Sequence, residues 1–86
     1  MQAMLWYSLA AQQGLPQAQH ALGIMLLGGV TGAPDPVEGY KWLSIAREAG
    51  NEDAGKRLKA LERDMKPGDV DEALERARDW QPEDRD

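Results

Sequence analysis

The 86-residue sequence contains no cysteine and a single histidine, His20. Without cysteine the chain can form no disulfide, offers no thiol nucleophile and builds no thiolate metal site, a composition that fits a reducing compartment. Metal binding or base catalysis at His20 would need carboxylate partners, yet residues 1–34 contain no Asp or Glu. The sequence therefore predicts no metal, no cofactor and no enzymatic activity.

The N-terminal segment also lacks the features of an export signal, because no basic stretch precedes an apolar run and a cleavage site. The apolar segment 24–30 is far shorter than the roughly 20 residues that cross a bilayer. We therefore expect a soluble, cytoplasmic chain without membrane insertion. The formal net charge of −5 opposes binding to phosphate backbones, so nucleic acid is not an expected partner.

Glycine and proline divide the chain at 14–16, 28–36, 50–51 and 67–68, leaving five segments of helical length. Hydrophobic residues make up 42% of the sequence, as in globular proteins. In three segments they recur at steps of three and four, which places them on one helix face. These residues are Ala18, Ala21, Leu22 and Met25, then Ala54, Leu58, Leu61 and Met65, then Val70, Ala73, Leu74, Ala77 and Trp80.

Three helix starts carry capping signals. Asp35 with Glu38, and Asp69 with Glu72, have the spacing of a capping box in which Asp replaces Ser or Thr. Asn51 precedes two acidic residues that complement the helix dipole. We therefore expect helices to begin directly after Asp35, Asn51 and Asp69.

The sequence repeats itself at a distance of 36 residues. The repeat pairs a large aromatic residue, small interface residues and a helix-ending glycine, the positions at which packing is least tolerant. The aligned pairs are Trp6 and Trp42, Ser8 and Ser44, Leu9 and Ile45, Ala10 and Ala46, Gly14 and Gly50, Ala18 and Ala54, and Leu22 and Leu58. A period of this length indicates a solenoid of two-helix units, each covering the apolar face of the next.

Segment 18–54 carries a spaced pattern formed by Ala18, Gln19, Leu22, Gly23, Asp35, Trp42, Ala46 and Gly50. This pattern resembles the Sel-one-like repeat, a relative of the tetratricopeptide repeat found in bacteria and eukaryotes. By this resemblance, 1–14 is the second helix of a partial repeat and 15–50 one nearly complete repeat. Segment 51–66 is then the first helix of a degraded repeat, and 67–86 the closing helix and tail. Two positions depart from the family: Leu26 replaces an aromatic residue and Tyr40 replaces an alanine.

We expect an all-α fold, a right-handed stack of antiparallel helical hairpins. All three tryptophans should pack inside it, and the glycine Gly23 should mark a close approach of two helices. The predicted core comprises Trp6, Leu9, Leu22, Met25, Trp42, Ile45, Leu58, Leu61 and Leu74.

The resemblance implies scaffold or adaptor binding. The first helices of the hairpins would then offer a protein or peptide partner a surface that includes Gln17, His20, Ile24 and Leu27. The first helix is also uncharged, and Met4, Leu5, Trp6 and Leu9 lack a preceding helix that would cover them. Either the chain belongs to a longer repeat array, or two chains pair through this helix as a homodimer. Interaction module, structural homodimer and, less favoured, small hydrolase are the functions left open.

Overall fold

The computed structural model describes residues 2–29 and 32–82, with side chains from Leu5 onward. Within these ranges the chain forms five α-helices and no strand, which confirms the predicted all-α fold. The helices are α1 (Gln2–Gln12), α2 (Pro16–Gly28), α3 (Pro36–Glu48), α4 (Glu52–Glu62) and α5 (Pro67–Asp79).

Helix α3 lies at the centre of the fold. It packs against α2, α4 and α5, whereas α1 packs mainly against α2. The side chains of α3 therefore take part in two separate core clusters. Trp42 and Ile45 pack with residues of α1 and α2, while Tyr40 and Leu43 pack with residues of α4 and α5.

Two of the three predicted caps are present. The Glu38 amide donates to Asp35 Oδ1 at 3.2 Å, and the Ala54 amide donates to Asn51 Oδ1 at 3.0 Å. The reciprocal half of the first capping box does not form, because the Asp35 amide donates to the Leu26 carbonyl instead. The Glu38 carboxylate is thereby available to Arg76 on α5, at 2.7 Å.

The prediction that Asp69 caps the fifth helix is wrong. Helix α4 ends at Glu62, and α5 begins at Pro67, two residues before Asp69. A proline ring presets the helical φ angle and lacks the amide that a first helical residue would leave unpaired. Pro67 therefore starts the helix, and Asp69 lies within the first turn, where its negative charge favours the helix dipole.

The predicted core is confirmed in its central part. Leu22, Trp42, Ile45 and Leu58 are buried, and Met25, Leu61 and Leu74 are half-buried. The prediction is wrong for Trp6 and Leu9, which are 60% and 50% exposed. Sequence periodicity identified these positions as equivalent to Trp42 and Ile45, but among the described residues α1 has only α2 as a major neighbour.

Gly23 and Gly39 lie where α2 crosses α3. A Cβ atom at Gly23 would come within 2.9 Å of Leu43 Cγ and 3.0 Å of the Gly39 carbonyl oxygen. A Cβ at Gly39 would meet Leu27 at 2.8 Å. The predicted close helix approach at Gly23 is therefore confirmed, and a glycine of α3 takes part in it.

Replacing Gly23 with alanine should lower the free energy of unfolding by up to about 2 kcal/mol. Overpacking a tight contact costs about 1–3 kcal/mol, which outweighs the gain in helix propensity of about 1 kcal/mol. Urea denaturation followed by far-UV circular dichroism measures the change. Gly28→Ala is the matched control on the same helix, because no atom lies within 4 Å of its Cβ position. Stabilisation by Gly23→Ala would contradict the close approach.

Tyr40, one of the two departures from the family pattern, is 1% exposed and is the largest fully buried side chain of the described residues. Its hydroxyl donates to Glu62 Oε2 at 2.6 Å, linking α3 to α4. Burial, supported by this hydrogen bond and by the negative charge of Glu62, raises the pKa of Tyr40 to about 12. The other departure, Leu26, is half-buried and packs against the first core cluster.

The raised pKa of Tyr40 predicts a loss of stability at alkaline pH. In the unfolded chain the phenol ionises near pH 10, the ordinary pKa of tyrosine, whereas the folded state keeps it neutral, so ionisation favours unfolding. The free energy of unfolding should therefore fall by up to about 2 kcal/mol between about pH 10 and about pH 12. Denaturation curves of Tyr40→Phe measured beside the wild type should lack this fall. An identical pH dependence in both proteins would contradict the prediction.

Candidate interaction surfaces

The four α2 residues predicted to contact a partner differ in exposure. Gln17 is exposed and His20 is half-buried. Ile24 and Leu27 are half-buried and pack against the second core cluster, where Leu27 lies against Gly39. Gln17 and His20 thus offer the polar part of this face, while Ile24 and Leu27 already serve the contact between α2 and α3. The assignment of a partner to this face stays a prediction.

The α1 apolar face consists of Leu5, Trp6, Leu9 and Leu15, the last residue before α2. These four side chains are 50–62% exposed. Large side chains of this kind, exposed together rather than singly, are typical of interaction surfaces. Met4 was predicted to belong to the same surface, but its side chain lies outside the described part of the chain.

A groove of about 590 Å³ runs beside the α1 apolar face. Trp6 and Tyr7 form one wall, and their rings meet edge to face with centroids 5.2 Å apart. Leu15 and Gln17, at the start of α2, line it as well, together with the turn at 49–51. The groove thus brings together Trp6 and Gln17, which the sequence had assigned to two different surfaces.

The charged side chains lie on other parts of the fold. Residues 2–29 contain no Asp, Glu, Lys or Arg. On α3 and α5, by contrast, Arg76 pairs with both Glu38 and Glu72, and Lys41 lies 3.5 Å from Glu38. The hydrogen bonds to Glu38 and Glu72 raise the pKa of Arg76 above its usual value. The α1 apolar face is therefore electrically neutral, whereas ion pairs connect α3 with α5.

The α3–α5 cleft is a second concave surface, with a volume of about 720 Å³. Its apolar lining consists of Ile45 on α3, Leu74 and Ala77 on α5, and Trp80 and Pro82 after α5. Its charged lining consists of Arg47, Glu48 and Arg78. Sequence periodicity does not predict this cleft, because the cleft arises from the way α5 packs across α3.

Two buried polar residues, Gln19 and Ser44, also line the α3–α5 cleft. They are 1% and 2% exposed. Gln19 Nε2 donates to the Ala11 carbonyl at 3.1 Å, which fixes the orientation of the amide. Gln19 Oε1 and Ser44 Oγ have no hydrogen-bond partner among the described residues. In the sequence, this buried polar position is indicated by Gln19, which lies between the apolar residues Ala18 and Leu22.

No group of three or more His, Asp or Glu side chains within the described ranges is placed to hold a metal ion. The part of the chain that the structure describes also contains no helix of the length and apolarity that a membrane span requires. The predicted absence of enzymatic activity stays a prediction.

Comparison with protein families places these helices in a known class. The sequence model of the Sel1 repeat matches residues 1–15 and 16–51. The chain belongs to the Sel1 repeat family. This confirms the resemblance predicted from the sequence. The Sel1 repeat match includes α1, α2 and α3, while α4 and α5 follow it in the chain.

Two curated relatives of this Sel1 repeat chain are named as regulators. Chitin synthase regulatory factor 3 of Schizosaccharomyces pombe is 40% identical over 57 residues, 66% of this chain and 6% of the relative. The exopolysaccharide production negative regulator of Rhizobium leguminosarum bv. viciae is 38% identical over 47 residues, 55% of this chain and 18% of the relative. The similarity therefore spans less than a fifth of either relative.

Proposed function

We propose that this Sel1 repeat chain is a protein-interaction module that binds an amphipathic helix of another protein along the α1 apolar face. The observation that carries the proposal is the exposure of Leu5, Trp6, Leu9 and Leu15 on one uncharged surface. Two alternatives that the sequence left open, a structural homodimer and a neighbouring unit of a longer repeat array, would use the same surface.

The repeat indicates what kind of partner this surface accepts. In the unit formed by α2 and α3, Trp42 and Ile45 pack with Ala18 and Leu22 of α2. Trp6 and Leu9 hold the equivalent positions in α1, one repeat earlier. A helix with small and aliphatic residues on one face, as on α2, therefore fits the α1 apolar face by the same packing that covers α3.

Charge and shape support the same type of partner. Because α1 and α2 contain no Asp, Glu, Lys or Arg, a charged residue facing them would be desolvated without an opposite charge. The groove beside Trp6 supplies a concave surface into which a protruding apolar side chain can insert. The names of the two curated relatives support a regulatory role through such binding.

A peptide copy of α2, residues 15–29 with a fluorophore and a solubilising lysine tail, is the probe for this site. Fluorescence anisotropy should show saturable binding to the full chain. Leu9→Glu should weaken that binding by about tenfold or more, because the new carboxylate would be buried against an apolar helix. The variant's circular dichroism spectrum should match the wild type, since Leu9 is half exposed.

Ala60→Glu is the matched control, because it adds the same charge at an exposed position of α4. Equal affinity of Leu9→Glu and Ala60→Glu for the peptide would contradict the proposed surface. Sedimentation velocity of the wild type separates the two partners. A dimer that Leu9→Glu dissociates would assign the surface to a second copy of the chain, in place of another protein.

A further inference from the structure

The rings of Trp6 and Tyr7 meet on the surface of α1, although their positions in the helix direct them apart. Consecutive side chains leave an α-helix about 100° apart and do not face each other. The two ring centroids are nevertheless 5.2 Å apart, and the ring planes lie at 76° to each other. This edge-to-face geometry is one that aromatic pairs favour. The two side chains therefore converge on one side of α1.

Tyr7 is the anchored member of this pair. It is half-buried and packs against the first core cluster, whereas Trp6 is 60% exposed. An exposed side chain without packing partners moves between rotamers, while a side chain held by the core does not. The contact with Tyr7 therefore restricts the motion of Trp6 in the free protein.

The following repeat orients its tryptophan in a different way. Trp42, the counterpart of Trp6, also meets an aromatic ring edge to face, that of Trp80, with centroids 5.6 Å apart. The residue after Trp42 is Leu43, which is buried in the second core cluster. The aromatic contact of Trp42 thus comes from the residue that follows α5, whereas that of Trp6 comes from the adjacent Tyr7. Helix α1 therefore orients its tryptophan without the help of another helix.

The orientation of Trp6 matters for binding because Trp6 and Tyr7 form one wall of the groove beside the α1 apolar face. Association is unfavourable in entropy when it must immobilise mobile side chains, and a surface ordered in advance avoids that cost. Tryptophan and tyrosine are also frequent among the residues that contribute most to binding. A fixed Trp6 therefore presents a preformed wall to an incoming side chain.

We propose that Tyr7 is a positioning residue, which holds the Trp6 indole in place so that the groove wall is formed before a partner helix arrives. Tyr7 acts through its ring, since the contact with Trp6 joins the two rings. The position of Trp6 is a property of the free protein, whereas its effect on affinity rests on the proposed helix-binding function.

NMR of the isotope-labelled full chain measures the orientation of Trp6 without any partner. Nuclear Overhauser effects should connect the ring protons of Trp6 and Tyr7. The indole N–H of Trp6, although exposed, should be nearly as ordered as that of the buried Trp42. Absence of these ring-to-ring effects, or a Trp6 indole far more mobile than that of Trp42, would overturn the proposal from the wild type alone.

Tyr7→Leu removes the ring and introduces the residue type that follows Trp42. The Trp6 indole should become more mobile in this variant, while the indole of Trp42 keeps its wild-type order. Tyr7→Phe is the matched control, because it keeps the ring and should leave Trp6 as ordered as in the wild type. Urea denaturation of both variants checks that they are folded. Equal mobility of Trp6 in Tyr7→Leu and Tyr7→Phe would overturn the proposal.

Affinity for the fluorescent peptide copy of α2 measures what the positioning contributes to binding. Tyr7→Leu should weaken binding by about fivefold, the effect of losing one aromatic pair, whereas Tyr7→Phe should bind like the wild type. In a Trp6→Ala background, Tyr7→Leu should cause no further loss, because Tyr7 acts through Trp6. A second fivefold loss in that background would show that Tyr7 contacts the peptide itself, and would overturn the positioning role.

Helix binding and the positioning of Trp6 can fail separately. A wild type that shows the ring-to-ring contact of Trp6 and Tyr7 but does not bind the peptide would contradict the proposed function and leave the positioning intact. A wild type that binds the peptide with the same affinity as Tyr7→Leu would support the proposed function and overturn the positioning role.

Discussion

Replacing Trp42 with alanine should lower the free energy of unfolding by about 3–5 kcal/mol, the range for truncating a buried aromatic side chain. Trp42 is 5% exposed, and its ring packs edge to face on Trp80 with centroids 5.6 Å apart. Ala18 and Leu22 of α2 belong to the same cluster. The substitution therefore weakens the contacts of α3 with both α2 and α5. Urea denaturation followed by far-UV circular dichroism measures the loss without depending on tryptophan fluorescence.

Trp6→Ala is the matched control for this prediction. It makes the same change at the equivalent position of the preceding repeat, but on a side chain that is 60% exposed. The loss should be below about 1 kcal/mol, because little of the indole leaves a packed environment. Similar losses for the two variants would show that Trp6 is covered in solution, and would contradict the exposed α1 apolar face.

These two tryptophans show what the sequence could predict and what it could not. The 36-residue repeat that aligns Trp6 with Trp42 predicts that both residues lie on α-helices. The structure confirms this prediction, because Trp6 lies in α1 and Trp42 lies in α3. Burial, however, depends on which other helix packs over each residue. Trp42 is covered by α2 and by Trp80, whereas α1 packs mainly against α2. Equivalence within a repeat therefore predicts the local helix, but not the degree of burial.

The helix starts illustrate the same distinction on a local scale. Asn51 caps α4 as predicted, because its side chain and the Ala54 amide belong to one short segment. Near the start of α5 the sequence contains two helix-start signals, Pro67 and Asp69. The helix begins at Pro67, and Asp69 lies in its first turn. Proline fixes a backbone angle before any contact forms, whereas a side-chain cap contributes only about 1 kcal/mol.

Sequence periodicity could not predict the α3–α5 cleft. The apolar residues from Val70 to Trp80, the last of which directly follows α5, were predicted to share one face, and they are buried or half-buried. Periodicity does not specify, however, which neighbour that face contacts. Only the packing of α5 on α3 places Trp80 and Ala77 in a cleft that Gln19 and Ser44 also line.

Leu58→Ala should lower the free energy of unfolding by about 2–5 kcal/mol, although Leu58 lies outside the segment that matches the Sel1 repeat. Leu58 is 1% exposed and, with Ala54, is one of two buried residues of α4. It packs in the cluster that also contains Tyr40 and Leu43 of α3 and Ala73 of α5. Its truncation therefore leaves a cavity at the junction of three helices.

Leu9→Ala removes the same atoms from a half-exposed leucine and should cost less than about 1 kcal/mol. In Leu58→Ala, unfolding should be followed by tryptophan fluorescence, which senses the buried Trp42 and half-buried Trp80 as well as the exposed Trp6, and by circular dichroism, which senses all helices. Coincident transitions at a lower urea concentration would show that α4 and α5 unfold with the matched repeat as one cooperative unit. An early loss of helix with an unshifted fluorescence transition would instead mean that α4 unfolds separately, and that the repeat and α5 hold together without it.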